Sequence, residues 1–397
     1  MNTTILSEIG PALERAAVPR VQAIDIVRGL VMAVMALDHI REFWSPMAVR
    51  AEDVAHASAA LFFTRWVTHF CAPTFVFLSG TSIWLYQQKQ PSKPHVSRFL
   101  ITRGLWLVFV EIVIINFILQ WGYNLILLQV IWVIGWSMVV LVGLIWLPRW
   151  LLVGLSFAII AGHNLLPTIQ PVTASNVGWA LLHNSPFVYP LPPLPPVLAA
   201  YSFGPWLGVM LAGYCIGPWF KLRLADRARR LRWAGVGLLV LFVALRFTNW
   251  YGDPQPWSVQ PRGLGYTVLS FLNVTKYPPS LLFLCLTLGV ALLLLSAVEN
   301  ATSRLSQWLR TFGKVPFFYY LPHLLLISAG AWVWTALAFG KAANLSFADA
   351  KDFPAAYHPS LLRAYVVWAA VILALYWPCR WYQGYKQRHS YWWLSYL

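Results

Sequence analysis

Three histidines and several carboxylates stand inside stretches that are otherwise apolar. Ionisable groups are costly there, and such positions are candidates for function. The first stretch reads Ala23-Ile-Asp25-Ile-Val-Arg28-Gly29-Leu-Val-Met-Ala-Val-Met-Ala-Leu-Asp38-His39-Ile-Arg41-Glu42. On a helix rising about 1.5 Å per residue, His39 lies roughly 8 Å from its far end at Trp44. His69, in the second stretch, lies roughly 13 Å below Ala60 by the same rise, so two antiparallel helices bring histidines to similar depth. An imidazole titrates near neutral pH and can take up and return a proton there. Neighbouring residues on a helix diverge by about 100°, so Asp38 need not touch His39. Glu42, three residues on, shares its helix face, and either carboxylate can fix the imidazole tautomer. His323 lies roughly 12 Å in from the opposite side, deep enough for the middle but short of the layer of His39. Glu111 falls near mid-stretch, too far from Arg103 on the same helix to pair with it. Asp25 and Arg28, three apart, read as a structural pair. His69, His323 and Glu111 also read as structural hydrogen-bonding groups. No serine elbow, phosphate loop or His-Glu-x-x-His zinc pattern occurs, and the four cysteines lack metal-ligand spacing. No metal is expected.

Helices must carry these residues through a non-aqueous medium. Only 11% of the 397 residues are charged and 59% are hydrophobic, where a soluble chain carries about a quarter charged residues. A span needs about 20 apolar residues. Runs of that kind occupy about 22–44, 60–86, 99–119, 124–147, 150–166, 197–220, 231–247, 279–298, 315–339 and 361–382. The expected fold is therefore all-α and polytopic, with about ten transmembrane helices in one membrane domain over residues 1–397. A short polar tail, 1–21, precedes the spans and another, 383–397, follows them.

Charge assigns the sides. The net charge of +16 gathers at the ends of apolar runs, as membrane orientation demands, and does not form a nucleic-acid face. Arg15 and Arg20 precede the first span. Lys89, Lys93, Arg98 and Arg103 follow the second, Arg149 the fourth, and Lys221 to Arg232 the sixth. Arg304, Arg310 and Lys314 follow the eighth, and Arg380, Lys386 and Arg388 the tenth. These turns, with both termini, are expected in the cytoplasm. The long segments 45–58, 167–196, 248–278 and 340–360 then lie outside, rich in Pro and aromatic residues, and can roof a cavity.

Three stretches resemble one family. Ala23–Arg41, with Asp25, Arg28-Gly29 and Asp38-His39, is similar to the opening of bacterial membrane proteins related to heparan-α-glucosaminide N-acetyltransferase. So are Thr68-His69-Phe-Cys-Ala-Pro73-Thr-Phe-Val-Phe-Leu-Ser-Gly80 and Phe312-Gly313-Lys314-Val-Pro316-Phe-Phe-Tyr-Tyr-Leu-Pro-His323. The resemblance implies a transmembrane acyltransferase in a bacterial inner membrane. It would move an acyl group from cytoplasmic acetyl-CoA or another acyl-CoA to a sugar or glycan on the outer side, with a homodimer as a candidate assembly. His39 follows Arg28 by the spacing found in bacterial sugar O-acyltransferases, where that histidine is regarded as catalytic. In the lysosomal member an asparagine falls at that position and the active histidine lies in the next outer segment, where His56 is the nearest match. His39, with Asp38 and His69, therefore stands as the catalytic set. Glu42, His56, Glu111 and His323 are supporting or alternative residues, and His39, His56 and His69 remain alternatives for the base. Arg28, Arg103 and Lys314 on the basic side would meet the CoA phosphates. The competing reading is a proton-coupled transporter of a small anion or sugar, using the same histidines as a relay. Paired Gly/Pro-interrupted segments, expected of inverted transporter repeats, are not apparent.

Overall fold

A computed structural model describes residues 20–396. Most of the 1–21 tail, with Arg15, lies outside the described residues. The first predicted span is α1 (Gln22–Trp44). The second is α2 (Ala59–Trp66) and α3 (Cys71–Gln87), joined by a 3-10 turn over Val67–Phe70. Pro73 causes the break locally, because it offers no N–H to the carbonyl of His69 four residues back. The third is α4 (Lys93–Phe109) and α5 (Asn116–Gln120), joined by a π turn over Val110–Ile115. His69 and Glu111 thus sit on the irregular turns of their helices, a frequent placement for functional residues.

The next segment adds a small sheet to the otherwise helical fold. Residues 126–128 and 197–199, read as parts of the fourth and sixth spans, are extended and contribute to this sheet. Its strands are β1 (Ile126–Leu128), β2 (Phe187–Tyr189) and β3 (Val197–Ala199), with β3 central, parallel to β1 and antiparallel to β2. The side chain of Asn116 stands in for another strand: its Nδ2 donates to Leu127 O at 3.0 Å and its Oδ1 accepts from Leu127 N at 2.6 Å. A short apolar run gives no periodicity by which to tell such a strand from a helix end.

The remaining helices are α6 (Val130–Leu144), α7 (Arg149–Gly162), α8 (Val177–Leu182), α9 (Phe203–Ile216), α10 (Leu224–Thr248) and α11 (Leu264–Leu272). After them come α12 (Leu281–Ala297), α13 (Arg304–Lys314), α14 (Pro316–Phe339) and α15 (Leu361–Arg388). The chain is thus mostly helical. Among the described residues, five stretches are long and apolar enough to cross a membrane: Ala59–Gln87, Lys93–Gln120, Leu224–Thr248, Pro316–Phe339 and Leu361–Arg388. The helices α6, α7 and α12 are apolar but shorter.

The connecting segments collect at two ends. At one, Tyr357 donates to Pro46 O, Arg262 to Ala57 O, and Asn273 to Glu52 O. At the other, Lys221 reaches Gln88, Arg227 grips Glu299, and Arg310 reaches Gln22. The segments expected outside meet one another, and so do the basic turns.

Two helix crossings hold the centre. A Cβ on Gly29 would strike the Leu309 carbonyl of α13, and one on Gly313 the Asp25 carbonyl of α1. Gly80 of α3 and Gly213 of α9 approach each other's helices as closely. Only glycine permits such backbone contact. The glycines of the three family-like stretches are therefore packing points.

The α1–α13 crossing also corrects the depth of His323. Arg304–Lys314 had been placed in a cytoplasmic turn, but as α13 it packs on α1 itself. The following helix starts level with the middle of α1, where Pro316, Phe317 and Tyr320 share a cavity with Met32 and Met35. From Pro316 to His323 and from Met32 to His39 is the same number of residues, about 10 Å along each helix. His323 consequently reaches His39.

Candidate functional site

The Nδ1 of His39 lies 3.0 Å from Nε2 of His323, with the rings stacked at 5.2 Å between centroids. His323 is fully buried, and its Nδ1 meets the backbone oxygen of Tyr320 at 2.5 Å. A carbonyl only accepts, so Nδ1 of His323 carries the proton and its neutral ring presents a bare Nε2. That nitrogen accepts from Nδ1–H of His39. The chain of two bonds leaves Nε2 of a neutral His39 with a free lone pair, the form a general base requires. His39 is only half-buried, so this edge is accessible.

The carboxylates do not hold the imidazole as expected. Asp38 accepts from Arg65 Nη1 at 2.8 Å and from Arg41 Nη2 at 3.2 Å. Glu42 pairs with Arg41 at 3.1 Å in place of the expected contact with His39, and Glu52 pairs with Arg65 at 3.3 Å. Arg65 is itself 6% exposed. The result is a network of two guanidiniums and three carboxylates beside His39, in which opposite charges satisfy one another in a low-dielectric setting. Glu52 lies in the outer segment. Burial alone would raise its carboxyl, but the Arg65 guanidinium, a backbone hydrogen bond, Arg50 and Arg41 together outweigh that and hold it below the ordinary 4.5.

His69 is buried, packs edge-on to Phe283 at 5.6 Å, and has no hydrogen-bond partner on either ring nitrogen among the described residues. It shares Asp38, Arg65 and Lys276 as charged neighbours with His39. Glu111 is fully buried without a side-chain partner among the described residues. Its carboxylate faces the backbone N–H groups of Gln129, Ile131 and Trp132 at the start of α6, where a helix favours negative charge. His56 is placed elsewhere, on the surface, bonded to Asp53 at 2.7 Å.

The basic residues line three cavities toward the other end. Arg28 bonds Ser82 Oγ at 2.7 Å and Gly313 O at 3.2 Å, and stands 3.5 Å from Asp25, the expected pair. With Arg20, Lys89 and Tyr86 it borders about 270 Å³ of open space. One turn further along α1 and α3, a cavity of about 100 Å³ runs between Arg103 and Tyr320 past Met32, Met35, Phe75 and Ser79. Lys314 lines a third, of about 240 Å³, on another face of α1 with Gln22, Arg310 and Gln383. No group of three or more metal-ligating side chains occurs among the described residues.

Sequence reasoning missed the contact of Arg65 with Asp38, and it missed Lys276 altogether. Nothing in the local sequence marks Lys276, a lysine three residues before the eighth predicted span.

Residues 20–246, more than half of the chain, match the family described as heparan-alpha-glucosaminide N-acetyltransferase, catalytic. No curated protein matches the chain.

Proposed function

The chain belongs to the heparan-α-glucosaminide N-acetyltransferase family, and on that premise we propose that it transfers an acetyl or other short acyl group from cytoplasmic acyl-CoA to a sugar on the outer side. An acetyltransferase-type enzyme in a membrane follows from the family and the apolar helices. The donor, acceptor and sidedness are our reading, as are ten spans in one domain with both termini in the cytoplasm and a bacterial inner membrane.

The observation that carries the reading is the hydrogen-bond chain from Tyr320 O through His323 to His39. It pre-sets the His39 imidazole as a base. Cavity geometry supports the donor side. The CoA phosphates fit the opening bordered by Arg20, Arg28 and Lys89, where cations can pair with them. The narrower apolar cavity past Arg103 suits the pantetheine arm and ends at Tyr320, one helical turn from His323. Lys314 faces a separate cavity, so its contribution is weaker in this arrangement.

In the reaction, Nε2 of His39 takes the proton of the acceptor amine or hydroxyl as that group attacks the thioester carbonyl. The C–S bond breaks and the thiolate leaves with the proton returned from His39. Asp38, held by Arg41 and Arg65, supplies a fixed negative charge beside the imidazolium that forms between these steps. His69 supports the same charged neighbourhood.

The test is direct. Purified protein in detergent is incubated with radiolabelled acetyl-CoA and a panel of amino sugars and hydroxyl sugars. Acyl transfer to a sugar, or retention of acetyl-CoA, supports the reading. A protein that neither binds acetyl-CoA nor transfers its acyl group, but moves a solute across vesicles with protons, contradicts it.

A further inference from the structure

Residues 273–280, between α11 and α12, form an irregular loop that is tied down on both sides. Arg246 is 1% exposed and donates to the carbonyls of Phe271, Gln255, Ser270 and Asn273 at 2.6 to 2.9 Å. Asp253 accepts from Thr275 N at 2.8 Å, Thr275 Oγ1 at 2.9 Å and Ser280 Oγ at 2.6 Å. Asn273 Nδ2 donates to Glu52 O at 2.9 Å, and the Trp66 indole to Leu272 O at 3.2 Å. These bonds lock the loop against the helices that carry Arg65 and His69. A rigidly braced loop is a suitable platform for a reactive side chain.

The side chain it presents is Lys276. The residue is 9% exposed, and makes no hydrogen bond or ion pair with the described residues. It stands on the loop that Asn273 ties to Glu52, whose carboxylate pairs with the Arg65 that holds Asp38, in the charged neighbourhood of His39 and His69, and its Nζ stands 5.0 Å from the centroid of the Tyr277 ring. The neighbouring carboxylates are engaged elsewhere, Asp38 and Glu42 by Arg41, and Asp38 and Glu52 by Arg65. A buried cation with no direct ion pair is costly and persists where an anion forms in use.

The acyl transfer proposed above generates such an anion, because attack on the thioester places negative charge on the carbonyl oxygen. We propose that Lys276 is a catalytic residue whose ammonium donates a hydrogen bond to this oxyanion. The acceptor nitrogen or oxygen bonds to the carbonyl carbon, the C=O electrons move onto oxygen opposite Lys276, and they return as the C–S bond breaks. Lys276 stays protonated throughout, while the acceptor proton travels through His39 to the leaving thiolate. The inference rests on the acyl-transfer reading.

The experiment compares Lys276→Met and Lys276→Arg with the wild-type protein. It measures kcat, acceptor KM, acetyl-CoA binding and thermal unfolding in detergent. Loss of an oxyanion donor costs on the order of a hundredfold or more in kcat. We expect that loss in Lys276→Met with near-normal acceptor KM, donor binding and unfolding temperature, and partial recovery in Lys276→Arg. Wild-type kcat in Lys276→Met overturns the proposal. So does a raised acceptor KM at unchanged kcat, which would make Lys276 an anchor for the acceptor. Parallel loss of stability and donor binding in both variants overturns it as well, in favour of a structural lysine. A wild-type protein that transfers no acyl group defeats the acyl-transfer reading itself and this inference with it, a result distinct from the other three.

Discussion

The two ends of the molecule use charge in opposite ways. Around His39, Asp38, Arg41, Glu42, Glu52 and Arg65 satisfy one another at 2.8 to 3.3 Å. Around α1's other end, Arg20, Arg28 and Lys89 share a cavity with a single carboxylate, Asp25. Paired charge makes a stiff frame with fixed dipoles, suited to holding a base in one tautomer. Surplus positive charge beside open space suits a phosphorylated ligand that arrives and leaves. Histidine chemistry and nucleotide recognition are separated along one helix, about a turn or two either side of its middle.

Substitutions that confuse the two ends should have effects of graded size. The largest is His39→Ala: we expect acyl transfer to fall on the order of a hundredfold or more, while acetyl-CoA still binds, because the donor cavities lie at the other end. Loss of both properties together would erase the division. Next, Arg28→Met or Arg103→Met should weaken acetyl-CoA binding severalfold, with the deficit shrinking as salt is added because accessible charge pairs are screened. Lys314→Met should do less, and an equal loss there would move the phosphate site to the cavity beside Gln22. Third, Gly29→Ala forces α1 away from α13 and should destabilise the protein by about 1–3 kcal/mol, read as a lower unfolding temperature in detergent. Donor binding and transfer should fall in proportion, since this crossing sets both ends. The smallest effect concerns acid. The Glu52–Arg65 pair stabilises the fold above pH 4.5, the ordinary carboxyl value, and that contribution is lost as pH falls through the lowered value in the folded protein. Unfolding temperature measured from pH 6 down to pH 3 should drop less steeply in Glu52→Gln, and identical slopes would show that the pair contributes nothing.

Much of this was legible in the residues. The apolar runs gave helices at nearly every expected position, and Asp38, His39, His69 and Glu111 were found because charge is conspicuous among apolar neighbours. The strands at 126–128 and 197–199 were hidden because their partner contacts come from Asn116 and from each other across some seventy residues, which no local pattern encodes. The contact between His39 and His323 was hidden for a related reason. Depth counted along one span assumes that it starts at the membrane surface, and α14 starts against the middle of α1 because α13 is inserted beneath it. Lys276 escaped because a single lysine in a long polar segment reads as solvated, and only the bonds from Arg246 and Asp253 bury it.

The central claim is that His39 and His323 act as one unit, with the buried ring fixing the tautomer of the accessible one. A double-mutant cycle on transfer rate tests it most directly, using His39→Ala, His323→Ala and the double variant, each checked for acetyl-CoA binding and unfolding temperature. Groups that work as a unit lose little more when the second is removed. We predict that His323→Ala alone is strongly impaired and that the double variant is no slower than His39→Ala. Multiplied losses in the double variant, or a His323→Ala protein that transfers at the wild-type rate, would contradict the account.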